Sequence, residues 1–385
     1  MADTAVIKSF ANGGEAVGTL QNGKSVFVRG AIPGEKVELK IVQEKKRFAR
    51  AKLLNVIEKS SVRITPECPH FENCPGCSYQ HVPYETELEW KQKQLQWLLR
   101  SFEAENFEPP VPSPERYNWR NKIVLHRENG ACGYRAEDNL SIIPVTECKI
   151  ALPEINQMIP ECRNFSGKDV VLRKSVCDSV CMFEKNNSCG ILTEDIPGFG
   201  KFQVDSCGFF QTNIQVAALL VKKVVEILKK QNCRELCELY CGTGIFSITA
   251  AENIPDLKSS ACEISAQAVK TAAQNAAIHN VSGSCRFTAS DAGKFFAKFH
   301  AKTGNYTLLV DPPRTGMDDN MRKNIRKHQP GSIIYISCAA DTLARDINSL
   351  YDLYKIKSIS LFDMFPATSH YETIAVLEKR SEKGC

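Results

Sequence analysis

From about Gly208 onward the sequence alternates apolar helix and apolar strand with a regularity that few folds accommodate. The helical stretch AALLVKKVVEILKK leads to the strand RELCELY, a glycine-containing turn and a further helix. The strand LKSSACEI is followed by the helix SAQAVKTAAQNAAIHN, where the Ser265 oxygen can accept from the free N–H groups of the first turn and so act as N-cap. Further strands are YTLLVDPP, GSIIYISC, YKIKSISLFDMF and ETIAVLEK. Strands joined through helices run parallel with helices on both faces, so the expected architecture is α/β, a doubly wound Rossmann-like sheet.

Upstream the pattern is different. Residues 5–57 form short stretches of alternating polarity broken by glycine, with Val26, Val28, Val37, Leu39 and Ile41 falling on one face. About five strands in so few residues predict a small closed barrel of the oligonucleotide-binding type, because closure removes open sheet edges. Residues 1–60 hold 11 Lys or Arg against 6 Asp or Glu, an excess of 5 that equals the formal charge of the whole chain. Lys45, Lys46, Arg47, Arg50 and Lys52 are the densest part, and they read equally as a phosphate footprint and as a solvated strand face.

At 385 residues the chain exceeds one ordinary domain. Three are expected: the barrel over 1–58, a central mixed domain over 59–205, and the α/β domain over 206–385. In the central part residues 86–102 predict an amphipathic helix, with Leu88, Gln92, Leu95, Leu98 and Leu99 near one face. The apolar share of 43% and charged share of 24% exclude disordered and fibrous classes. No stretch approaches a membrane span, and the start MADTAVIKSF lacks the basic and apolar regions of a leader, so a cytoplasmic protein is expected.

In that compartment the 17 cysteines predict metal ligation or a reactive thiol rather than disulfides. Most are expected to be small buried hydrophobes, Cys177, Cys181, Cys233 and Cys262 among them. Cys68, Cys74 and Cys77 stand apart by their C-x5-C-x2-C spacing. Thiolates in such a set suit structural zinc or an iron-sulfur cluster.

The turn ELYCGTGIFS, with Gly242 and Gly244, follows a strand, and the acidic Glu263 ends the next strand about 20 residues on, as in nucleotide-binding folds. Glycines admit a ligand close to the backbone, and a carboxylate accepts from ribose hydroxyls. The spacing serves NAD and S-adenosylmethionine alike, but a third glycine for a pyrophosphate is missing. Asp291, after the following strand, suits an adenine contact or a helix N-cap. Asp311 in Asp-Pro-Pro-Arg ends another strand, where ligands bind in open α/β sheets. Cys338 ends a further strand just before a helix, whose N-terminus is expected to depress its pKa; by position alone it reads more readily as a buried strand-end cysteine. His370 and Glu372 lie in a polar turn before the last strand, where a glutamate is an ordinary surface carboxylate or, if desolvated, a base.

The motifs FFQTN, LYCGTGIF, DPPRTG, SCAADTLARD and FPATSHYE, in this order, resemble the RNA uracil-5-methyltransferase family. The barrel looks like that family's TRAM domain, and the cysteine segment like its iron-sulfur element. The resemblance implies S-adenosylmethionine as cofactor, Cys338 as a nucleophile adding to C6 of a uracil, and Glu372 as the base that removes the C5 proton. It further implies that Gln211, Tyr240, Glu263 and Asp311 line the cofactor and base pocket, to which Gly242 and Asp291 are added by their place at the strand ends. A [4Fe-4S] cluster on Cys68, Cys74, Cys77 and Cys148 is implied as well. Ile245 and the run Cys338-Ala339-Ala340 depart from the Asn and Cys-Asn-Pro common in the family, without removing a reacting group. The expected partner is structured RNA, with 23S ribosomal RNA favoured and transfer RNA the alternative, handled by a monomer with no membrane contact. A non-catalytic RNA assembly factor and a cytosine-5 methyltransferase are the competing readings.

Overall fold

The structure, a computed structural model, describes residues 3–128, 130–301 and 306–380. The first five strands, Asp3–Phe10 (β1), Ala16–Leu20 (β2), Ser25–Val28 (β3), Lys36–Glu44 (β4) and Phe48–Glu58 (β5), close into a barrel in the order β1-β2-β3-β5-β4. Val26, Val28, Val37 and Leu39 are fully buried inside it, and Ile41 packs at its rim. The β4–β5 hairpin projects its tip into solvent with Lys45, Lys46 and Arg47 exposed. Arg50 pairs with Glu15 at 2.6 Å, whereas Lys45, Lys46, Arg47 and Lys52 make no ion pair among the described residues.

The helix α1 spans Tyr84–Leu98. Its buried stripe is Glu87, Lys91 and Leu95, continued by Leu99, while Leu88 and Leu98 are only partly covered. The apolar face expected from Leu88, Gln92 and Leu98 is therefore rotated toward a charged pair, which stays inside because Lys91 is within 2.7 Å of both Glu87 and Asp363.

The central part holds Lys122–Glu128 (β6), Ala131–Arg135 (β7), Ile142–Pro144 (β8), Asp169–Arg173 (β9) and Cys181–Glu184 (β10), an antiparallel sheet in the order β10-β9-β6-β7-β8. A short helix Pro153–Met158 (α2) covers it, and Ile191–Ile196 (β11) pairs with Gly200–Asp205 (β12). Cys233 and Cys262 are buried as expected. Cys177 is exposed and Cys181 half-covered, a correction that follows from their place on the edge strand β10 and the loop leading to it, which have a neighbouring strand on one side only.

The remaining chain runs Ile214–Lys230 (α3), Glu235–Leu239 (β13), Ile245–Asn253 (α4), Lys258–Glu263 (β14), Ala266–Ile278 (α5), Cys285–Ala289 (β15), Ala292–Ala297 (α6), Thr307–Val310 (β16), Asp319–His328 (α7), Ser332–Ser337 (β17), Ala340–Asn348 (α8), Tyr354–Phe362 (β18) and Glu372–Lys379 (β19). Its seven-stranded sheet has the order β15-β14-β13-β16-β17-β19-β18. The pairs from β15 to β17 are parallel, as the helix-strand alternation predicts. β19 is antiparallel to both its neighbours. No helix joins β18 to β19, and without a crossover the chain can only return in the opposite direction. The reversal puts the first residue of β19 beside the last residues of β17, with Ser337 opposite Thr373. Among the described residues no helix is long and apolar enough to cross a membrane.

Candidate active site

The turn after β13 is built on left-handed backbone. Tyr240, Gly242 and Gly244 have φ of 65°, 52° and 85°. Gly244 caps α4, and a Cβ there would lie 2.8 Å from the Phe287 ring, so this glycine serves close packing. A Cβ on Gly242 would meet nothing within 4 Å, so its backbone faces space that a ligand can enter. The Glu263 carboxylate, at the end of β14, accepts from the N–H of Gly242 at 3.3 Å and from that of Ser265 at 3.0 Å. It is thereby aimed across the same space. Ser265 caps α5 as expected, accepting from Ala268 N at 3.2 Å.

Asp291 caps α6 through Lys294 N at 2.9 Å, so the capping role is realised at this position. Tyr240 packs half-buried against the core at the start of the turn. Gln211 is half-buried in the segment between β12 and α3, where its carbonyl accepts from Asn121 at 3.3 Å. That segment is held by the buried Arg173, which pairs with Glu194 at 3.0 Å and donates to the carbonyls of Ser206 and Gly208 at 3.0 Å each. Two residues that sequence reasoning passed over stand out beside it: Phe209 is 74% and Ile264 is 76% exposed. Phe209 opens the FFQTN motif and Ile264 follows Glu263, and large apolar side chains left in solvent mark candidate contact surface.

Asp311, Cys338 and Glu372 come from three adjacent strands, following β16, following β17 and opening β19. Glu372 is 6% exposed, not a surface carboxylate. Burial pushes it well above the usual carboxylate range and Asp311 adds to that, opposed by Arg314. Burial also pushes Asp311 up to about 7. The expected depression of Cys338 by its helix is overturned: burial, then Glu372 and Asp311, push it up to about 11. α8 does begin two residues later, but a helix end acts as a fraction of a charge, and here it is outweighed by desolvation and two carboxyl groups. The thiol is thus the resting form at neutral pH.

The loop after Asp311 is tied to α8 by the buried Asp346, which accepts from Met317 N at 2.8 Å, Tyr335 OH at 2.7 Å, Arg322 at 2.8 Å and Arg345 at 2.7 Å. Thr342 adds a hydrogen bond to the Arg314 carbonyl at 3.2 Å. The two segments that carry Asp311 and Cys338 are held together by this hub. His370 is exposed in the connection between β18 and β19.

On the other side of that connection, Cys68, Cys74, Cys77 and Cys148 line one cavity of about 350 Å³, walled by Phe71, Tyr134, Val145 and Ile150. Cys148 is brought in by Asn156, which accepts from its N–H at 2.8 Å and donates to its carbonyl at 3.1 Å. Arg29 of the barrel donates to the carbonyls of Cys74 and Cys77 at 2.5 and 2.6 Å. Among the described residues no group of three or more His, Cys, Asp or Glu is arranged to hold a metal ion.

Residues 199–380 match the profile of the tRNA (uracil-5-)-methyltransferase family, and residues 4–54 match that of the TRAM domain. The chain is 27% identical to the 23S rRNA (uracil(1939)-C(5))-methyltransferase RlmD of Vibrio parahaemolyticus, over 92% of this chain and 91% of that one. It is equally 27% identical to the RlmD of Legionella pneumophila, over 98% and 97% of the two chains. Among solved structures, the Pyrococcus abyssi tRNA (uracil-54, C5)-methyltransferase in complex with S-adenosyl-L-homocysteine matches with a TM-score of 0.77 at 24% identity, covering 97% of this chain and 99% of that one. The doubly wound sheet has the fold of the S-adenosylmethionine-dependent methyltransferases. Over residues 199–380 the chain is thus similar to the RNA uracil-5-methyltransferases, with a TRAM domain in front.

Proposed function

We propose that the protein methylates C5 of one uridine in 23S ribosomal RNA through a covalent bond between Cys338 and C6 of the base. The observation that carries this reading is the convergence of Asp311, Cys338 and Glu372 at the sheet edge that also holds the Gly242 turn and Glu263. The relatives of matching length named for 23S ribosomal RNA support the substrate class.

Uracil C5 is a weak nucleophile, and addition of sulfur at C6 makes it an enolate carbon. A proton must leave the Cys338 thiol as the bond forms, and Asp311, pushed up to about 7, is suited to receive it near neutral pH. Bound S-adenosylmethionine would supply the electrophilic methyl together with a positive charge beside the two acids. Gly242 would leave it room, Glu263 would accept from its ribose hydroxyls, and Ile264 would offer an apolar face. Glu372, once ionised, takes the C5 proton and allows Cys338 to leave, so one hard step becomes two easier ones. The half-buried thiol cannot reach C6 in a stacked base, so the nucleotide has to be turned into the pocket. The exposed cations of the β4–β5 hairpin supply phosphate contacts. All reacting groups come from one chain, which suits a monomer working in the cytoplasm, where ribosomal RNA is found.

Cys68, Cys74, Cys77 and Cys148 are proposed to hold a [4Fe-4S] cluster. The donor set fits, with four thiols around one mostly apolar cavity that is large for a single ion. The cluster's role is structural, since methyl transfer moves no net electrons. Anaerobically purified protein should contain iron and acid-labile sulfide; colourless protein loaded with zinc would refute the assignment. For the activity, 5-methyluridine should vanish from one site in 23S ribosomal RNA of cells lacking the gene and return on adding purified protein. Loss at a transfer RNA site instead would reassign the substrate, and no loss from either would favour an assembly factor.

A further inference from the structure

Glu372 hangs at the end of the connection 363–371, which contains neither helix nor strand. Such a segment owes its position to the partners of its polar groups. Its partners come from α1. Lys91, fully buried, donates to Glu87 and to Asp363 at 2.7 Å each and to the Phe365 carbonyl at 3.3 Å. The same Glu87 oxygen accepts from the Ala367 N–H at 2.7 Å. Tyr84 donates to the other oxygen of Asp363 at 2.9 Å and accepts from Ser113 N at 2.8 Å.

Ala367 has φ of 66°, a left-handed conformation that a residue with a Cβ adopts only when its surroundings impose it. Its carbonyl accepts from Ser78 N at 2.8 Å and Tyr79 N at 3.0 Å, immediately after Cys77. The connection is therefore gripped on one side by α1 and on the other by the cysteine loop. A buried ion-pair network of this kind is a poor source of stability, because well-packed apolar residues of similar size are often as good or better. What it does provide is a defined place for the backbone it bonds.

We propose that Lys91 is a positioning residue: with Glu87 and Tyr84 it holds the connection 363–371 so that Glu372 meets the C5 proton. The inference rests on Glu372 being the base. Lys91 lies outside the segment 199–380 that matches the methyltransferase family, so a helix of the central part completes the site.

The test uses the full-length holoprotein in the variants Lys91→Met, Tyr84→Phe and Glu372→Gln, with S-adenosylhomocysteine as the calorimetric probe of the cofactor site. Misplacing a base by a fraction of its reach costs about 10- to 100-fold in rate. Lys91→Met should lower kcat by that order and accumulate a denaturation-resistant protein–RNA adduct, with affinity for S-adenosylhomocysteine unchanged. Tyr84→Phe removes one hydroxyl, keeps the ion pairs and should show the same pattern more weakly; it decides the matter if Lys91→Met does not fold. Unchanged kcat, or a fall in kcat without adduct or with matching loss of cofactor affinity, overturns the inference. Adduct in Glu372→Gln but not in the other two overturns the positioning role alone, whereas normal turnover of Glu372→Gln overturns the base and the inference with it.

Discussion

Glu263 and Glu372 are the same residue type at the same edge of the same sheet, and the structure treats them in opposite ways. Glu263 ends the parallel strand β14, half-open to solvent, with two backbone N–H groups aimed at its oxygens. Glu372 opens the antiparallel strand β19, buried beside a second acid and with no ion pair among the described residues. Two fixed N–H donors orient a carboxylate and suit it to holding a ligand, whereas desolvation beside a second acid raises the proton affinity of Glu372 and suits it to moving protons. On the proposed reading, binding and chemistry are separated by environment along one sheet edge, and each side can be removed without the other.

The largest effect expected is from Cys338→Ala, which should lower turnover by about a thousandfold or more and abolish the covalent RNA complex, because a lost nucleophile has no substitute. Affinity for the cofactor should be unchanged by calorimetry. Methylation at near the original rate would remove Cys338 from the chemistry side.

Glu263→Ala is the mirror experiment. Loss of charge-assisted hydrogen bonds to a ligand should weaken cofactor binding by about 10- to 100-fold. At saturating cofactor, kcat should recover most of its value. A kcat that stays low at saturation would join the two carboxylates in one role and break the comparison.

A smaller change is expected in RNA binding when Lys45, Lys46 and Arg47 are all replaced by alanine. The slope of log affinity against log salt should fall by about 2, since each single-strand phosphate contact contributes about 0.7. An unaltered slope would place the phosphate contacts elsewhere on the protein.

The smallest perturbation is pH alone. A thiol pushed up to about 11 is protonated at neutrality, and its reactive thiolate grows about tenfold per pH unit until that value is reached. Alkylation of Cys338 in the free protein, followed by mass spectrometry, should therefore still be accelerating above pH 9, the ordinary thiol value. A plateau below it would mean that the helix end of α8 outweighs burial after all.

Much of this arrangement is legible along the chain. The Gly242 turn, the acidic end of the next strand, Asp311 and Cys338 are all strand-end signals, contained within a few residues each. Ser265 and Asp291 announce helix starts by the same local logic, and both caps are present. Less legible were positions whose neighbours come from far along the sequence. Cys177 and Cys181 lie at a sheet edge that residue type could not reveal. Glu87 and Lys91 look like the solvent face of an amphipathic helix until Asp363 is placed against them.

Fold class, barrel and the Gly242 turn were already contained in the order of residues, because periodicity and strand-end chemistry act over a few positions; roles for Cys338 and Glu372 were implied only by the resemblance of whole motifs to a family. The direction of β19 was decided only in three dimensions, where the missing crossover helix sends the last strand back and delivers Glu372 to Cys338. The protonation states of both groups were decided there too. A pKa depends on what surrounds an atom within a few ångströms, and for Cys338 those surroundings are Asp311 and Glu372, contributed by two other strands.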